Sequence, residues 1–208
     1  MRGAVQYDAR MCAQRTDEEL EGYLAQAYIG GLEPAVVVLA DYDPRWPTRF
    51  AAEAGRIRAA LAERALAVEH IGSTAVPGLA AKPIVDVLLV VADSGDEPSY
   101  LPALEAAGYV LRVREPDFFE HRMLRTPARD VHVHVFSPGC VEIERYLLLR
   151  DRLRVDAEER ELYERTKREL AACTWPTMQH YAEAKTEVVE AIIARAAAER
   201  SARLGRSR

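Results

Sequence analysis

The sequence predicts an α+β domain built on a mixed sheet of about five strands, with flanking helices and a C-terminal helical bundle. Strongly apolar, β-branched runs such as the one from Ile84 to Val91 read as buried strands. Helix-like segments lie between the strand-like ones, with apolar residues recurring at helical spacing. After Cys140 only helical patterns remain, so the bundle is expected at the C-terminal end. The chain has 208 residues, enough for one domain with a proper core.

Residues 1–15 lack periodicity and are expected to be disordered. Thr16-Asp17-Glu18-Glu19 has the pattern of a capping box and opens a short helix through Gln26, ended by Gly30-Gly31. Val36 to Leu39 reads as a short edge strand. Asp43-Pro44 and Pro47 set up a helix whose buried stripe is Phe50, Ala54, Ile57 and Leu61. Strands follow over Leu66–Ile71 and Ile84–Val91, then a helix from Glu97-Pro98 to about Ala107, stopped by Gly108. Three more strands are expected at Tyr109–Val113, Phe118–Leu124 and Asp130–Phe136, the last two joined by a turn over 125–129. Cys140 to Leu153 is helical, and Asp156-x-x-Glu159 caps a second helix to about Ala172. Trp175-Pro176 breaks the chain, and Thr177 starts one last helix with Met178, Tyr181, Val188, Ile192 and Ile193 on one side. The Arg-rich tail from Glu199 is expected to fray. The organisation is therefore an N-terminal extension over 1–35, a domain over 36–197 and a tail over 198–208.

Net charge is −5, which does not indicate a general nucleic-acid-binding surface. No apolar run approaches the roughly 20 residues of a membrane span, and no signal-peptide pattern is present. Cys12, Cys140 and Cys173 are odd in number and lack metal-type spacing, as expected of free thiols in a reducing cytoplasm. The richness in Ala and Arg suits a high-GC bacterial genome.

The chemistry concentrates between Val68 and Val91. Gly72-Ser73-Thr74 breaks one apolar run, and Asp86 interrupts the next. An ionised Asp in a β-branched strand is expensive unless paired, hydrogen-bonded or bound to a metal. A Gly-Ser turn lets backbone approach an anion closely, and Gly72, Ser73 and Thr74 are candidate phosphate ligands beside a metal held by Asp86. His132 and His134 lie two apart on a strand and so face one side. With Asp86 they would form an Asp/His/His set that favours Mn, Fe or Zn over the all-oxygen shell of Mg. Without a metal, the same histidines would serve as hydrogen-bond partners of Asp86. His121 and Arg122, on the partner strand of that hairpin, are placed to reach the site, Arg122 as an anion clamp. His70 precedes the loop and would orient it. Lys82 lies inside the loop, within reach of a phosphate. The loop is not a Walker motif, and no Gly-x-Ser-x-Gly elbow supports Ser73 as a covalent nucleophile.

A strand, Gly-Ser, and a carboxylate on the next strand after the twelve residues Thr74 to Val85 resembles the nucleotidyltransferase signature of the polymerase β-like fold. The longer wording HIGSTAVPGLAAKPIVDVLLVV closely resembles the core motif of the GrpB family, a branch of that superfamily. DYDPRWPTRF at 41–50, DVHVHVF at 130–136, EIERYLLLRDRLR at 142–154 and the Tyr163/Lys167 and Tyr181/Lys185 pairs extend the resemblance over roughly residues 36–197. It implies a nucleotidyltransferase-like sheet and leaves the substrate open. In the superfamily a second carboxylate normally stands two positions on, where this chain has Leu88, and a late strand supplies a third. The strand carrying His132 and His134 is the natural counterpart of that late strand. Arg150, Arg152, Tyr181 and Lys185 match family positions, and the resemblance makes Arg150 and Lys185 candidate triphosphate ligands.

These residues lead to a nucleotidyltransferase-like enzyme that binds ATP or another NTP and a divalent metal, Mg or Mn, with Zn as a third option. It would transfer a nucleotidyl group to a small-molecule acceptor, or adenylate a carboxylate as a route to ligation. Asp86, His134 and His121 are the candidate catalytic residues. A non-catalytic nucleotide- or ligand-binding module is the rival that Leu88 favours. A metal-dependent hydrolase on Asp86, His132 and His134 is the other.

Overall fold

The computed structural model describes residues 17–32 and 36–206. The stretch 1–15 and the Thr16 cap lie outside the described residues. The helix that Thr16 was expected to open is α1 (Asp17–Ala27), and Gly30 and Gly31 turn the chain with φ of +82° and +81°.

Five strands form one sheet in the order β1-β2-β5-β4-β3. They are β1 (Ala67–Ile71), β2 (Val85–Val90), β3 (Val110–Glu115), β4 (His121–Arg125) and β5 (Val131–Phe136). Only the central β2–β5 pair is parallel; the other pairs are antiparallel, so the sheet is mixed as the sequence predicts. Strand alternation divides its two faces. Val85, Val87 and Leu89, with Val131, Val133 and Val135, pack against α2 (Trp46–Leu61) through Ile57 and Leu61, and against α3 (Leu101–Ala106) through Leu104. Asp86, Leu88 and Val90, with His132, His134 and Phe136, face the opposite way, toward α4 (Val141–Val155). Pro47 stands in the first turn of α2, where its missing N–H leaves no intrahelical bond unmade.

The C-terminal helices cover that second face. α4 packs on α5 (Ala157–Ala171) and α7 (Thr186–Arg206), around Leu153, Tyr163 and Ile192. The side chain of Asp156 accepts a hydrogen bond from the Glu159 amide at 3.0 Å, the cap that the sequence announces for α5.

Four expectations are corrected. Val36–Leu39 is not a strand. Val36 and Val38 are exposed, and only Ala40 bridges to Ala81. Phe118 and Phe119 belong to the turn before β4, where Phe119 and Glu120 both take φ of +53°. The last helix is two, α6 (Met178–Glu183) and α7, because the Lys185 amide bonds the Ala182 carbonyl and tightens the turn between them. The tail from Glu199 does not fray at once: α7 runs to Arg206, with Glu199 paired to Arg152 and Arg200 to Glu144.

Candidate functional site

Parallel pairing of β2 with β5 sets Asp86 opposite His132 and Leu88 opposite His134. The alternation rule then delivers all three polar side chains to the face under α4. His132 Nδ1 lies 3.6 Å and His134 Nε2 3.7 Å from Asp86 Oδ1, too long for hydrogen bonds but close enough to share one ion. One ligand atom from each residue falls within 4.8 Å of the others. The donor set therefore fits a divalent ion: one ionised oxygen and two nitrogens, half-buried on rigid strands.

The Gly72–Ser73 loop closes on that carboxylate. Gly72 has φ of +69°, and a Cβ added there would overlap Asp86 Oδ2 and sit 3.1 Å from the Asp86 Cβ and Cγ. Only glycine lets the loop pass this close. Thr74 fastens the loop from inside, donating to the Ile84 carbonyl at 3.2 Å and meeting His70 Nε2 at 3.1 Å. His70 is itself stacked on Phe50, 4.7 Å between centroids, and burial lowers its pKa to about 4. It supports the loop as a neutral ring.

Loop and carboxylate open into a cavity of about 260 Å³ between the sheet and the C-terminal helices. Three lysines line it. Lys167 of α5 is almost fully buried and donates to Ser73 Oγ at 3.1 Å and to the Ala80 carbonyl. Its Nζ lies 4.8 Å from the centre of the Tyr163 ring. Lys82 and Lys185 approach the Tyr181 ring from 5.5 and 4.7 Å. Burial and the neighbouring ammonium of Lys185 lower Lys82 to about 8 and Lys167 to about 7, and burial lowers Lys185 to about 8. Three lysine side chains thus converge on one cavity, with one carboxylate among them.

Comparison with known proteins fixes the lineage. A family model described as "GrpB protein" matches residues 36–195. The chain belongs to the GrpB family. A UPF0157 protein of Halalkalibacterium halodurans is 52% identical over 191 residues, covering 91% of this chain and 96% of that protein. A UPF0157 protein of Streptomyces coelicolor is 53% identical over 172 residues, covering 83% and 90%. The crystal structure of the conserved protein GrpB from Enterococcus faecalis superposes with a TM-score of 0.67 at 33% identity, covering 76% of this chain and 96% of that one.

Within this GrpB-family chain the expected site residues fall into three groups. Gly72, Ser73, Thr74, Lys82, Asp86, His132, Arg150 and Lys185 line the cavity. His134 stands beside Asp86, and His121 lies behind it, its Nε2 3.1 Å from His134 Nδ1. Arg122 is not at the cavity. It precedes Met123, the partner of His134, so alternation turns it to the other face, where it pairs with Glu97 at 2.5 Å. Arg150 borders the cavity but bonds Glu69 at 2.9 Å and Asp151 at 2.7 Å, so its charge is already matched. The sequence reading passed over Lys167, Tyr163 and Tyr146 as site residues. Lys167 had a signal: it falls on the buried stripe of α5, four residues after Tyr163, where a solvated lysine does not belong.

Among the described residues no helix is long and apolar enough to cross a membrane. Cys140 and Cys173 are free thiols.

Proposed function

We propose that this GrpB-family protein is a metal-dependent nucleotidyltransferase that binds a nucleoside triphosphate and transfers its nucleotidyl group to a small-molecule acceptor. The observation that carries the reading is the closure of the Gly72–Ser73 loop onto Asp86 inside a lysine-lined cavity. The resemblance of this loop and carboxylate to the nucleotidyltransferase signature supports it.

Asp86, His132 and His134 would hold the divalent ion, and Lys82, Lys167 and Lys185 the triphosphate. The ion would supply charge neutralisation on the phosphate oxygens. Ser73, with its hydroxyl held by Lys167, would contact the phosphate nearest the loop. In the transfer an acceptor oxygen bonds to the α-phosphorus, and the bond from that phosphorus to the bridging oxygen breaks. Pyrophosphate leaves with the electron pair. A hydroxyl acceptor must also lose a proton, and His132 is the one imidazole among the residues lining the cavity. Committed to an ion, it has no lone pair to spare. A carboxylate acceptor brings no proton, so an acyl-adenylate product suits this site better than a phosphodiester.

The test is thermal. An NTP with Mn should raise the melting temperature, with a stabilisation of about 2.7 kcal/mol at a hundredfold excess over Kd. Ser73→Trp should fill the loop side of the cavity and abolish the shift while the domain stays folded. No shift with any NTP at millimolar concentration, with Mg, Mn or Zn, would overturn the reading.

A binding module without turnover is the second reading, favoured by Leu88. That side chain is fully buried among Ile71, Val90 and Phe136, where the superfamily pattern has an acid. An NTP-dependent thermal shift without pyrophosphate release in the presence of any acceptor would select it.

A further inference from the structure

A line of polar side chains runs from the surface of the N-terminal helix to Asp86 under the sheet. Tyr23 of α1 hydrogen-bonds Glu115 Oε1. Glu115 Oε2 lies 2.5 Å from His121 Nδ1. His121 Nε2 lies 3.1 Å from His134 Nδ1, and His134 Nε2 faces Asp86 Oδ1 at 3.7 Å. His121 is buried and stacked between His134 and Phe136, with centroids at 5.3 and 4.7 Å.

The chemistry of the two ends fixes the middle. Glu115 can only accept, so the Nδ1 of His121 carries a proton. An uncharged His121 then has a bare Nε2, which must accept from His134 Nδ1. His134 in turn carries its proton on Nδ1 and presents the Nε2 lone pair to Asp86. The 3.7 Å separation agrees, because an Nε2–H donating to the carboxylate would draw in to hydrogen-bond distance. Two electron-rich atoms facing each other at that spacing is an arrangement that a cation resolves.

We propose that Tyr23, Glu115 and His121 are positioning residues that hold His134 in its Nδ1–H tautomer, with the Nε2 lone pair turned toward Asp86 to bind a divalent cation. The cation-binding part rests on the reading above; the tautomer does not. Tyr23 lies outside the 36–195 segment that matches the family, so the N-terminal helix of this chain adds a part to the site that the family segment alone does not contain. An outer carboxylate that orients a ligating imidazole is a general device, and its loss commonly costs 10–100-fold in metal affinity.

The experiment is long-range ¹H–¹⁵N correlation on the metal-free, full-length protein labelled at histidine, followed by titration with Zn and Mn. The parent should show His134 protonated at Nδ1. His121→Phe keeps the aromatic stack but removes the acceptor, and should move the proton to Nε2 and weaken metal binding 10–100-fold. His121→Gln retains an acceptor at that reach and should restore both. Glu115→Leu, near the sheet edge, provides the same test if the His121 variants fail to fold, with a mixed tautomer expected. Tyr23→Phe should shift metal affinity in the same direction by less. An Nε2–H tautomer in the parent, or an unchanged tautomer in both His121→Phe and Glu115→Leu, would overturn the proposal. The expected tautomer changes without metal binding in the parent would uphold the relay and instead remove the metal from the function.

Discussion

Gly72 and Leu88 are the two residues on which the site's character turns. Gly72 combines a left-handed backbone with contact against Asp86, so Gly72→Ala carries two penalties. At φ +69° and ψ −174° the backbone alone costs roughly 1–3 kcal/mol for a residue with a Cβ, and the new methyl must also push the carboxylate aside. We expect a folded protein, detected by an intact cooperative melt, whose affinity for Mn or Zn is lost. Retained metal affinity in that variant would show that Asp86 is not the ligand. Leu88 explains why the second acid is missing. Its place is roofed by Ile71, Phe136, Tyr146 and Leu147, so a carboxylate there would be buried with little beyond the His134 imidazole to offset it. Leu88→Asp should destabilise by roughly 3–5 kcal/mol in denaturant titration. A milder effect would mean that the site can admit a second carboxylate after all. His132 and His134 instead put imidazole nitrogens beside Asp86 from the neighbouring strand.

At the scale of elements, the parallel β2–β5 pair is the decisive arrangement, because its register sets Asp86 and His132 side by side. The helices on the far face brace it without touching the cavity. Ile57 of α2 is wholly buried against those strands. Ile57→Ala should therefore cost about 2–5 kcal/mol by chemical denaturation, while metal affinity measured below the transition stays at the parental value. Much of this was legible. The β-branched runs announced β2 and β5, and the two-residue spacing of His132 and His134 put both on one face. The Asp86 anomaly pointed at the site itself. What the sequence hid was tertiary. Val36 and Val38 have the residue types of a strand, but among the described residues the pairing beside them is a single Ala40–Ala81 bridge. The α6–α7 break has neither Gly nor Pro to mark it. Arg122 lies only one residue from His121, but one step along a strand reverses the face, and no local pattern said which of the two would turn inward. Lys167 reaches Ser73 across 94 positions, a contact that no local window contains.

For the molecule as a whole, one buried and two half-buried lysines in an anionic protein shape the response to pH and to charge. Their pKa values in the fold, about 7 for Lys167 and about 8 for Lys82 and Lys185, lie below the ordinary 10.5. Between those values the unfolded chain binds more protons than the folded one, so stability rises with pH across that window. Denaturation at pH 7 and at pH 9.5 should show the higher stability at pH 9.5, and Lys167→Met should flatten the difference. A stability that falls over this range would contradict the assignment. A polyanion entering the cavity should recharge the same lysines, so binding should take up protons, seen as an enthalpy that depends on the buffer. The central claim is that loop, carboxylate and lysines together bind a nucleoside triphosphate with a metal. Calorimetric titration of ATP, GTP, CTP and UTP into the protein at pH 8, with Mn present, tests it most directly. We expect saturable binding of at least one nucleotide, lost in Asp86→Asn and in Ser73→Trp. Absence of binding for all four at millimolar concentration, or an Asp86→Asn variant that binds as the parent does, would contradict it.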